Sequence, residues 1–394
     1  MKICAVICEY NPFHNGHKYQ LEQMKKTGEC DAVLCLMSGN FTQRGDAAVF
    51  HKQIRARHAI ENGADIVLEL PAAFAVSAAE YFASGAVHLL ASIPAVKKLA
   101  FGCESGTKEE FLHAAQATLS EEKQFKALLK ENMKDGTSYV KARTKTTLAL
   151  NPDIDEALLT SPNNILGTEY CRAILAQGST IEPMPLARVG SGYTDETLAK
   201  NFSSATALRA ALKSDSKKDA KGLKTNVPAS IYKDLGAYRE TPYKAAAVCA
   251  LLSKPTEEVT KSPDCSEGLE NKLRAMAKSN PTYDEMLDKV ISKRYTLSRL
   301  KRILAQNFLG ITRKDVRAFL ESPLYYNVLA VRKKGSEELL AALSRGSFPT
   351  LVRKSDAGAL KKDALACFET DIRANDLYNA LAGERTNEFE TLFV

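Results

Sequence analysis

The first hundred residues of the chain show two patterns of apolar and polar positions, one typical of strands and one typical of helices. Predominantly apolar stretches of strand length occupy Ile3–Cys8, residues 32–37, Ile66–Leu70 and residues 98–101, and the first of them is an unbroken apolar run. Stretches with helical periodicity lie between them, at residues 18–26, 50–62 and 78–91. Continuous apolar runs are typical of strands buried on both faces of a parallel sheet, and their alternation with helices indicates βαβ units. The pattern therefore predicts an α/β fold with a parallel sheet and right-handed crossovers.

Polar or glycine-bearing segments follow three of these predicted strands, at residues 9–20, 38–46 and 102–106. In an open α/β sheet, ligands bind outside the carboxyl ends of the strands. Each segment taken alone is compatible with an ordinary βα loop. Their shared position predicts that they converge on one edge of the sheet and form a nucleotide site there.

Two histidines, His14 and His17, lie where the first predicted strand passes into a helix. The free N–H groups and the dipole of a helix N-terminus favour an anion, and Gly16 allows a phosphate to approach the backbone closely. The alternative is a pair of surface histidines at a helix start. All six histidines fall at or before His113, so imidazole chemistry belongs to the N-terminal part of the chain.

Three later segments carry further candidate chemistry. Asn163 and Asn164 precede a predicted helix, where the amides could read adenine or ribose or could cap the helix. Arg188 leads a glycine-rich turn that ends at Tyr193, and it could bind a phosphate in fork geometry or be an exposed loop arginine. The hydroxyls of residues 202–209 lead into a helix and serve as N-caps by default.

The C-terminal half has a different composition. Residues 213–224 hold five lysines and predict a linker, followed by a helical region at 228–309, strands at 325–331 and 350–353, and a last helix at 364–382. We therefore predict two domains, an N-terminal Rossmann-like domain at residues 1–212 and a mostly helical α+β domain at residues 225–394.

A strongly basic run lies within that second region. Residues 289–317 contain nine Lys or Arg and one Asp. Thr296 is predicted to cap a helix whose apolar stripe is Leu297, Leu300, Leu304 and Phe308, with Arg299 and Arg302 pointing away from it. Such a run is either a solvated face or a footprint for a phosphate backbone, and the pattern favours neither.

Composition narrows the class of protein. The 394 residues are 45% hydrophobic with a formal net charge of +7, which permits a polyanionic partner without requiring one. No apolar run approaches the ~20 residues of a membrane span, and no signal peptide is expected. Nine cysteines without metal-ligand spacing are interpreted as reduced core thiols, Cys4 and Cys8 among them, of a cytoplasmic protein.

Two segments carry a resemblance to the nucleotidyltransferase superfamily. His14-Asn15-Gly16-His17 resembles its H-x-G-H signature, and residues 203–209 resemble its second signature, I-S-S/A-T-x-x-R. Ser204, Ala205, Thr206 and Arg209 fall on that second pattern, whereas Ser203 stands where the pattern has isoleucine. The resemblance implies that the two imidazoles hydrogen-bond ATP phosphates and stabilise charge in the transition state.

Nearly the whole chain resembles the bacterial tRNA(Met) cytidine acetate ligase family. The matching segments are residues 9–17, 38–46, 63–71, 161–164, 188–193 and 295–299. This resemblance implies a ligase that activates acetate as acetyl-AMP and transfers the acetyl group to the exocyclic amine of the wobble cytidine of elongator tRNA(Met). ATP is expected with Mg²⁺ but without a dedicated protein metal site, and the sequence does not indicate the oligomeric state.

The same resemblance implies roles for individual residues. The expected catalytic residues are His14, His17 and Arg188. The expected ATP-binding residues are Ile7, Cys8, Glu9, Tyr10, Asn11, Pro12, Phe13, His14, Asn15, Gly16, His17, Lys18, Tyr19, Gln20, Gly102, Asn163, Asn164, Arg188, Ser204 and Thr206. The resemblance implies one asparagine contact to ATP, and either Asn163 or Asn164 could make it. The expected tRNA-binding residues are Arg294, Arg299, Lys301 and Arg302.

Two other functions compete with this one. A small-molecule adenylyltransferase acting on a phosphate substrate shares both signatures but does not need a long basic C-terminal extension. A non-catalytic RNA-binding protein is disfavoured by the intact His14, His17 and Arg188. Acetate is a carboxylate at neutral pH and needs no base to attack ATP, whereas no base for the acetyl transfer can be identified from the sequence.

Overall fold

The computed structural model describes residues 1–119, 123–134, 137–188, 198, 202–214, 216–280, 282–383, 386 and 390–394. Its strands are β1 (Ile3–Cys8), β2 (Ala32–Ser38), β3 (Ile66–Leu70), β4 (Val96–Cys103), β5 (Glu182–Ala187), β6 (Tyr326–Val331), β7 (Thr350–Leu351) and β8 (Leu392–Phe393). Within these ranges, no helix has the length and apolarity needed to cross a membrane.

The strands form one sheet in the order β5-β4-β1-β2-β3-β6-β7, with β8 also paired to β6. The five strands from β5 to β3 are parallel, and β6 joins β3 antiparallel. The chain moves from β1 to β2 and β3 on one side and returns to β4 on the other. The strand order therefore reverses beside β1, which is where an open α/β sheet forms its binding crevice. The predicted α/β class with a parallel-dominated sheet is confirmed.

The central strands of the sheet are buried on both faces, as their continuous apolar sequences require. Ile3 and Ala5 of β1 belong to one hydrophobic core, and Cys4 and Val6 belong to the core on the opposite face. All four side chains are at most 2% exposed. Alternate side chains of a strand point to opposite faces, so an apolar run without alternation needs a cover on each side.

Helices supply that cover. In the N-terminal half they are α1 (Asn15–Lys26), α2 (Lys52–Glu61), α3 (Ala72–Ala75), α4 (Ala79–Ala91), α5 (Lys108–Thr118), α6 (Lys123–Asn132), α7 (Tyr139–Leu150), α8 (Ala157–Thr160), α9 (Pro162–Ala176), α10 (Ala205–Leu212) and α11 (Lys217–Asn226). In the C-terminal half they are α12 (Ala229–Leu235), α13 (Tyr243–Ser253), α14 (Thr256–Val259), α15 (Leu269–Ser279), α16 (Tyr283–Val290), α17 (Leu297–Leu309), α18 (Arg313–Leu320), α19 (Ser336–Ser344) and α20 (Lys362–Ala382), with a 3₁₀ helix at Lys354–Ala359.

Two sequence interpretations of the sheet and its connections were wrong or incomplete. The predicted linker at 213–224 is largely helix α11, which is held in place because Asn226 accepts a hydrogen bond from the Ser203 N–H at 2.7 Å. Strand β5 is absent from the sequence interpretation, since Pro183 and Pro185 argue against a strand. At the end of the sheet order, one side of β5 needs no ladder donors, so the prolines are tolerated.

Two predictions about individual apolar residues were also wrong. Leu297 is 43% exposed at the first turn of α17, while Leu300 and Leu304 of the same predicted stripe are fully buried. Cys4 is not a free thiol, because its sulfur is bonded to that of Cys30 beyond the end of α1. The bond ties β1 to the segment that leads into β2.

The C-terminal half contributes directly to the sheet. Val67 of β3 pairs with Ala330 of β6, so the sheet continues across the boundary that the sequence predicts between residues 212 and 225. The division into an ATP-binding domain at 1–212 and a tRNA-binding domain at 225–394 stays a prediction.

Candidate active site

A cleft opens at the carboxyl ends of β1, β4 and β5, three neighbours in the sheet. Ile7 to Asn11 continue β1 into its floor, and α1 begins beside it. The residues that line it are Ile7, Cys8, Glu9, Tyr10, Asn11, His14, Gly16, His17, Tyr19, Gln20, Gln23, Gln43, Arg44, Phe82, Phe101, Gly102, Asn163, Leu166, Tyr170, Leu186, Ala187, Arg188, Phe202, Ser203, Ala205, Thr206 and Arg209. Of the three segments predicted to converge, residues 9–20 and 38–46 both contribute to this lining, and residues 102–106 contribute only Gly102.

The two histidines are held by the N-terminus of α1. His14 is the N-cap residue, and its Nδ1 accepts the Gly16 N–H at 3.1 Å. The hydrogen bonding is reciprocal: Nδ1 of His17 accepts the His14 N–H at 3.3 Å. The rings stack with centroids 3.5 Å apart. A Cβ on Gly16 would lie 3.0 Å from the His14 ring, so glycine leaves room for this stack.

This geometry fixes both the tautomer and the charge of the imidazoles. Since each Nδ1 accepts a backbone N–H, each Nε2 carries the proton and is a donor. Burial lowers the pKa of His14 to about 3, with Arg188 and Arg209 adding positive charge. Burial holds the pKa of His17 well below its usual range, and the neighbouring His14 and the charge of Arg188 lower it further. Both rings are therefore neutral donors at physiological pH.

Arg188 directly follows β5 and lines the cleft. Its N–H donates to the carbonyl of Cys103 at 3.0 Å, and its Nη1 lies 3.4 Å from Oδ1 of Asn163. A Cβ on Gly102 would lie 3.2 Å from Cγ of Arg188, so glycine leaves space for the arginine. The sequence placed Gly102 after its strand, but it lies within β4 and pairs with Leu186.

The two neighbouring asparagines have different surroundings. Asn163 lines the cleft, and its Nδ2 donates to Glu104 at 2.5 Å. Asn164 is fully buried and does not line the cleft; its Oδ1 accepts the Glu104 N–H at 2.9 Å and its Nδ2 donates to the carbonyl of Ala157 at 3.2 Å. Glu104 in turn accepts both asparagine N–H groups and so caps α9.

The second signature lies at the start of α10. Ser204 is the N-cap, its Oγ accepting the Ala207 N–H at 3.0 Å, and it does not line the cleft. Thr206 and Arg209 do line it. Arg209 donates to the carbonyl of Asn11 at 2.7 Å and to the hydroxyl of Thr206 at 3.1 Å, which fixes its guanidinium beside the histidine motif.

The predicted ATP-binding stretch from Ile7 to Gln20 divides into two groups. Ten of its residues line the cleft. The four that do not are Pro12, Phe13, Asn15 and Lys18. Phe13 is fully buried against Tyr10 and His17, Asn15 bonds the carbonyl of Thr225 at 2.9 Å, and Lys18 is exposed. The ATP-binding assignments stay predictions, and the structure shows only which of these residues line the cleft.

Several lining residues were not among the predicted site residues. Phe82, Phe101, Leu166 and Tyr170 form an apolar wall, but in sequence they are indistinguishable from core residues. Gln43 and Arg44 lie in the 38–46 loop, whose position after β2 was the available signal. The rest of the predicted glycine-rich turn after Arg188, residues 189–193, lies outside the described residues.

The predicted tRNA-binding residues lie around α17, and all four have protein partners. Arg294 pairs with Glu267 at 2.7 Å and is 47% exposed. Arg299 donates to the carbonyl of Asp264 at 3.0 Å. Lys301 pairs with Asp46 at 3.1 Å, and Arg302 pairs with Asp264 at 2.5 Å with both side chains 12% exposed.

The described ranges contain no group of three or more His, Cys, Asp or Glu side chains placed to hold a metal ion. The donors in the cleft instead fit a polyphosphate: two neutral imidazole N–H groups, the fixed guanidinium of Arg209, and the guanidinium of Arg188. Such a set is suited to stabilising negative charge that develops on phosphate oxygens.

Comparison with known proteins identifies the family of this chain. Residues 1–391 match the family model described as HIGH Nucleotidyl Transferase. A tRNA(Met) cytidine acetate ligase of Acetivibrio thermocellus is 36% identical over 96% of this chain and 94% of that protein, and one of Clostridium botulinum strain Langeland is 34% identical over 97% and 95%.

Solved structures agree with the sequence relatives. The apo crystal structure of Thermotoga maritima TmcAL superposes with a TM-score of 0.92, and the form bound with alpha-thio ATP superposes with 0.89. Both are 28% identical in sequence and are matched over the full length of each chain. With its two signatures at one cleft, the chain belongs to the tRNA(Met) cytidine acetate ligase family of HIGH nucleotidyltransferases.

Proposed function

We propose that this protein is an ATP-dependent ligase that activates acetate as acetyl-AMP and acetylates the wobble cytidine of elongator tRNA(Met). The observation that carries the proposal is the cleft, which brings His14, His17, Arg188 and Arg209 together in a chain whose named relatives match over nearly its full length. A tRNA substrate places the reaction in the cytoplasm.

In the first step an acetate oxygen attacks the α-phosphorus of ATP and pyrophosphate leaves. Acetate is already ionised, so this step needs no base. The Nε2–H groups of His14 and His17, with Arg188 and Arg209, stabilise charge that develops on the phosphates. Because all four are held by backbone or side-chain bonds before ATP arrives, little reorganisation is required.

The nucleoside part of ATP lies against the apolar residues of the cleft. Phe101, Leu166 and Tyr170 offer an apolar surface for adenine, and Asn163 is the asparagine that faces the cleft. We assign the ATP contact to Asn163 and give Asn164 the structural role of joining α9 to the segment after β4. Gly102 acts indirectly by leaving space for Arg188.

In the second step the cytidine exocyclic amine attacks the acetyl carbonyl and AMP leaves. The tRNA docks on the C-terminal region that carries the basic run at residues 289–317. If Mg²⁺ accompanies ATP, it binds through phosphate oxygens and water more than through protein side chains.

The decisive experiment is ATP–pyrophosphate exchange by the purified protein with and without acetate, followed by analysis of elongator tRNA(Met) for N4-acetylcytidine. The proposal predicts acetate-dependent exchange without tRNA and acetylation when tRNA is added. Exchange that requires a phosphate-bearing small molecule instead of acetate identifies an adenylyltransferase, and tRNA binding without any exchange identifies a non-catalytic RNA-binding protein.

A further inference from the structure

Acetyl transfer releases a proton that some group must accept. The amine nitrogen forms a bond to the acetyl carbon, the bond from that carbon to the AMP oxygen breaks, and one N–H proton leaves the nitrogen. The AMP phosphate takes the electron pair of the broken bond. The sequence indicates no base for this step, and a base that acts on the bound substrates must lie in the cleft.

Most titratable groups in the cleft are unsuited to this task. His14 and His17 use Nδ1 to accept backbone N–H groups and present only donors. Burial raises the pKa of the Cys8 thiol and of the Tyr10 hydroxyl well above their usual ranges, so both keep their protons at neutral pH. Arg44, Arg188 and Arg209 are cations and accept no proton.

Glu9 is the one carboxylate among the described residues that line the cleft. It directly follows β1 and is half-buried. Its Oε1 accepts the Gln43 N–H at 2.7 Å, while no hydrogen bond from a described residue reaches Oε2. Burial raises the pKa of Glu9, opposed by that backbone N–H and by the charges of Arg209, Arg44 and Arg55. A carboxylate with a raised pKa is a better proton acceptor near neutral pH.

We propose that Glu9 is the general base of acetyl transfer, taking the amine proton on Oε2 as the cytidine nitrogen bonds to the acetyl carbon. This inference rests on the proposed function and assigns a role within it. The Gln43 N–H holds the carboxylate through Oε1 and leaves the second oxygen for the proton.

The position of Glu9 fits contact with the second substrate. Gln43 belongs to the loop between β2 and α2 that separates Glu9 from α17. In the same loop, Asp46 pairs with Lys301 at 3.1 Å and the carbonyl of Gly45 accepts the Tyr243 hydroxyl at 2.9 Å. Glu9 is thus held from the side on which the tRNA is predicted to dock, whereas Asn163 and Arg188 line the wall formed by β5 and α9.

The test measures the two half-reactions of the enzyme separately in the Glu9→Gln variant. Glutamine keeps an oxygen for the Gln43 N–H but accepts no proton. The matched control is Glu22→Gln on the exposed face of α1, which removes the same charge outside the cleft. Acetate-dependent ATP–pyrophosphate exchange measures the first step. Single-turnover acetylation of elongator tRNA(Met) from preformed acetyl-AMP measures the second.

We expect Glu9→Gln to slow transfer from acetyl-AMP by about 10²–10⁴-fold, the range for general-base catalysis, with a much smaller loss of exchange. The parent transfer rate should rise with pH as Glu9 ionises, and the variant should lose that rise. Glu9→Asp keeps a carboxylate and should recover part of the rate. Glu22→Gln should behave as the parent does.

Two results would overturn the assignment. Equal losses of exchange and transfer would make Glu9 part of ATP or metal binding, and transfer within about three-fold of the parent would exclude it as the base. Neither result contradicts the proposed function. That function is refuted if the parent protein shows no acetate-dependent exchange and no acetylation. Urea unfolding of each variant establishes that the comparison is between folded proteins.

Discussion

At the scale of single residues, the active site depends on how two histidines are protonated. The strand-turn-helix pattern placed His14 and His17 at a helix start, but their tautomers follow from hydrogen bonds to the backbone of α1. Positively charged rings would attract phosphate more strongly in the ground state. Neutral rings with fixed Nε2–H donors bind without a change of proton and are suited to charge that develops during the reaction.

We predict that His17→Ala lowers acetate-dependent ATP–pyrophosphate exchange by an amount equivalent to about 2–4 kcal/mol in the barrier, the range for losing one preorganised donor. The control is His113→Ala, because His113 is 52% exposed on α5 and outside the cleft. Exchange rates at saturating ATP and acetate measure the effect. Parent-like exchange by His17→Ala would remove His17 from the first step.

The sequence predicted those parts of the site that are local in the chain. His14, Gly16 and His17 lie within four residues, so turn and helix signals were sufficient to place them. The bonds of Arg209 to Asn11 and of Glu104 to Asn163 join segments far apart in sequence. Periodicity and propensity describe a residue by its neighbours in the chain and contain no information on such contacts.

At the scale of elements, the 38–46 loop is built to lie against α17. Gly45 has φ of +78°, and a Cβ at this position would overlap the backbone of Lys301. The loop and the helix therefore approach backbone to backbone, which only glycine permits. The sequence predicted both segments, but it left the charged face of α17 as either solvated or tRNA-binding, because a pattern of charges does not show which charges are paired within the protein.

We predict that Gly45→Ala lowers the free energy of unfolding by about 1–3 kcal/mol more than Gly28→Ala does, since overpacking adds to the backbone cost. Gly28 is the matched control: its φ is +67°, and nothing lies within 4 Å of the added Cβ. Urea unfolding of the two variants measures the difference. Equal losses of stability would mean that the loop moves away from α17 at no cost.

At the scale of the whole molecule, buried polar contacts join the two halves of the chain. Oδ1 of Asn375 in α20 lies 2.7 Å from Nε2 of His51 and accepts Nδ2 of Asn40 at 2.9 Å. Glu69 of β3 pairs with Lys52 at 2.7 Å and accepts Nδ2 of Asn327 at 2.8 Å. Buried polar groups of this kind all need hydrogen-bond partners, and here the partners come from both halves. The C-terminal half is therefore fixed against the N-terminal sheet.

This arrangement makes stability depend on pH through His51. Burial lowers the pKa of His51 from 6.5 to about 3, with Lys52 and Arg55 adding positive charge. Between these values the unfolded chain binds a proton that the folded chain does not, so this contribution to stability falls as pH drops from about 6.5 towards 3. At pH 5 the loss of stability is roughly 2 kcal/mol for this one group.

We therefore predict that His51→Asn, which keeps a short acceptor at the cap of α2, shows a smaller difference in unfolding free energy between pH 7 and pH 5 than the parent does. The reduction should be about 2 kcal/mol, measured by urea unfolding at both pH values. His113→Asn serves as the surface control. An unchanged pH dependence in His51→Asn would show that His51 accepts a proton while keeping its hydrogen bonds.

The basic run at residues 289–317 is predicted to bind tRNA, while the N-terminal half carries out the reaction with ATP. Arg302 and Asp264 are both 12% exposed and paired, so Arg302→Ala leaves a mostly buried carboxylate without its cation and should cost about 1–3 kcal/mol of stability. A tRNA defect in that variant, or in Arg299→Ala with Arg302→Ala, would mix docking with folding. Arg294 and Lys293 are exposed and allow a cleaner test.

We predict that Lys293→Ala with Arg294→Ala weakens tRNA binding and flattens its salt dependence, by roughly 0.7–0.9 in the logarithmic slope for each phosphate that is no longer neutralised. Stability and acetate-dependent exchange without tRNA should stay at the parent level, because neither side chain lines the cleft. Filter binding across a range of salt concentrations gives the slope. Abolished exchange with intact tRNA affinity would refute the division between the halves. Intact exchange with intact affinity would show that this end of the run is a solvated face and that the tRNA docks elsewhere, with the lysines of α11 as the next surface to test.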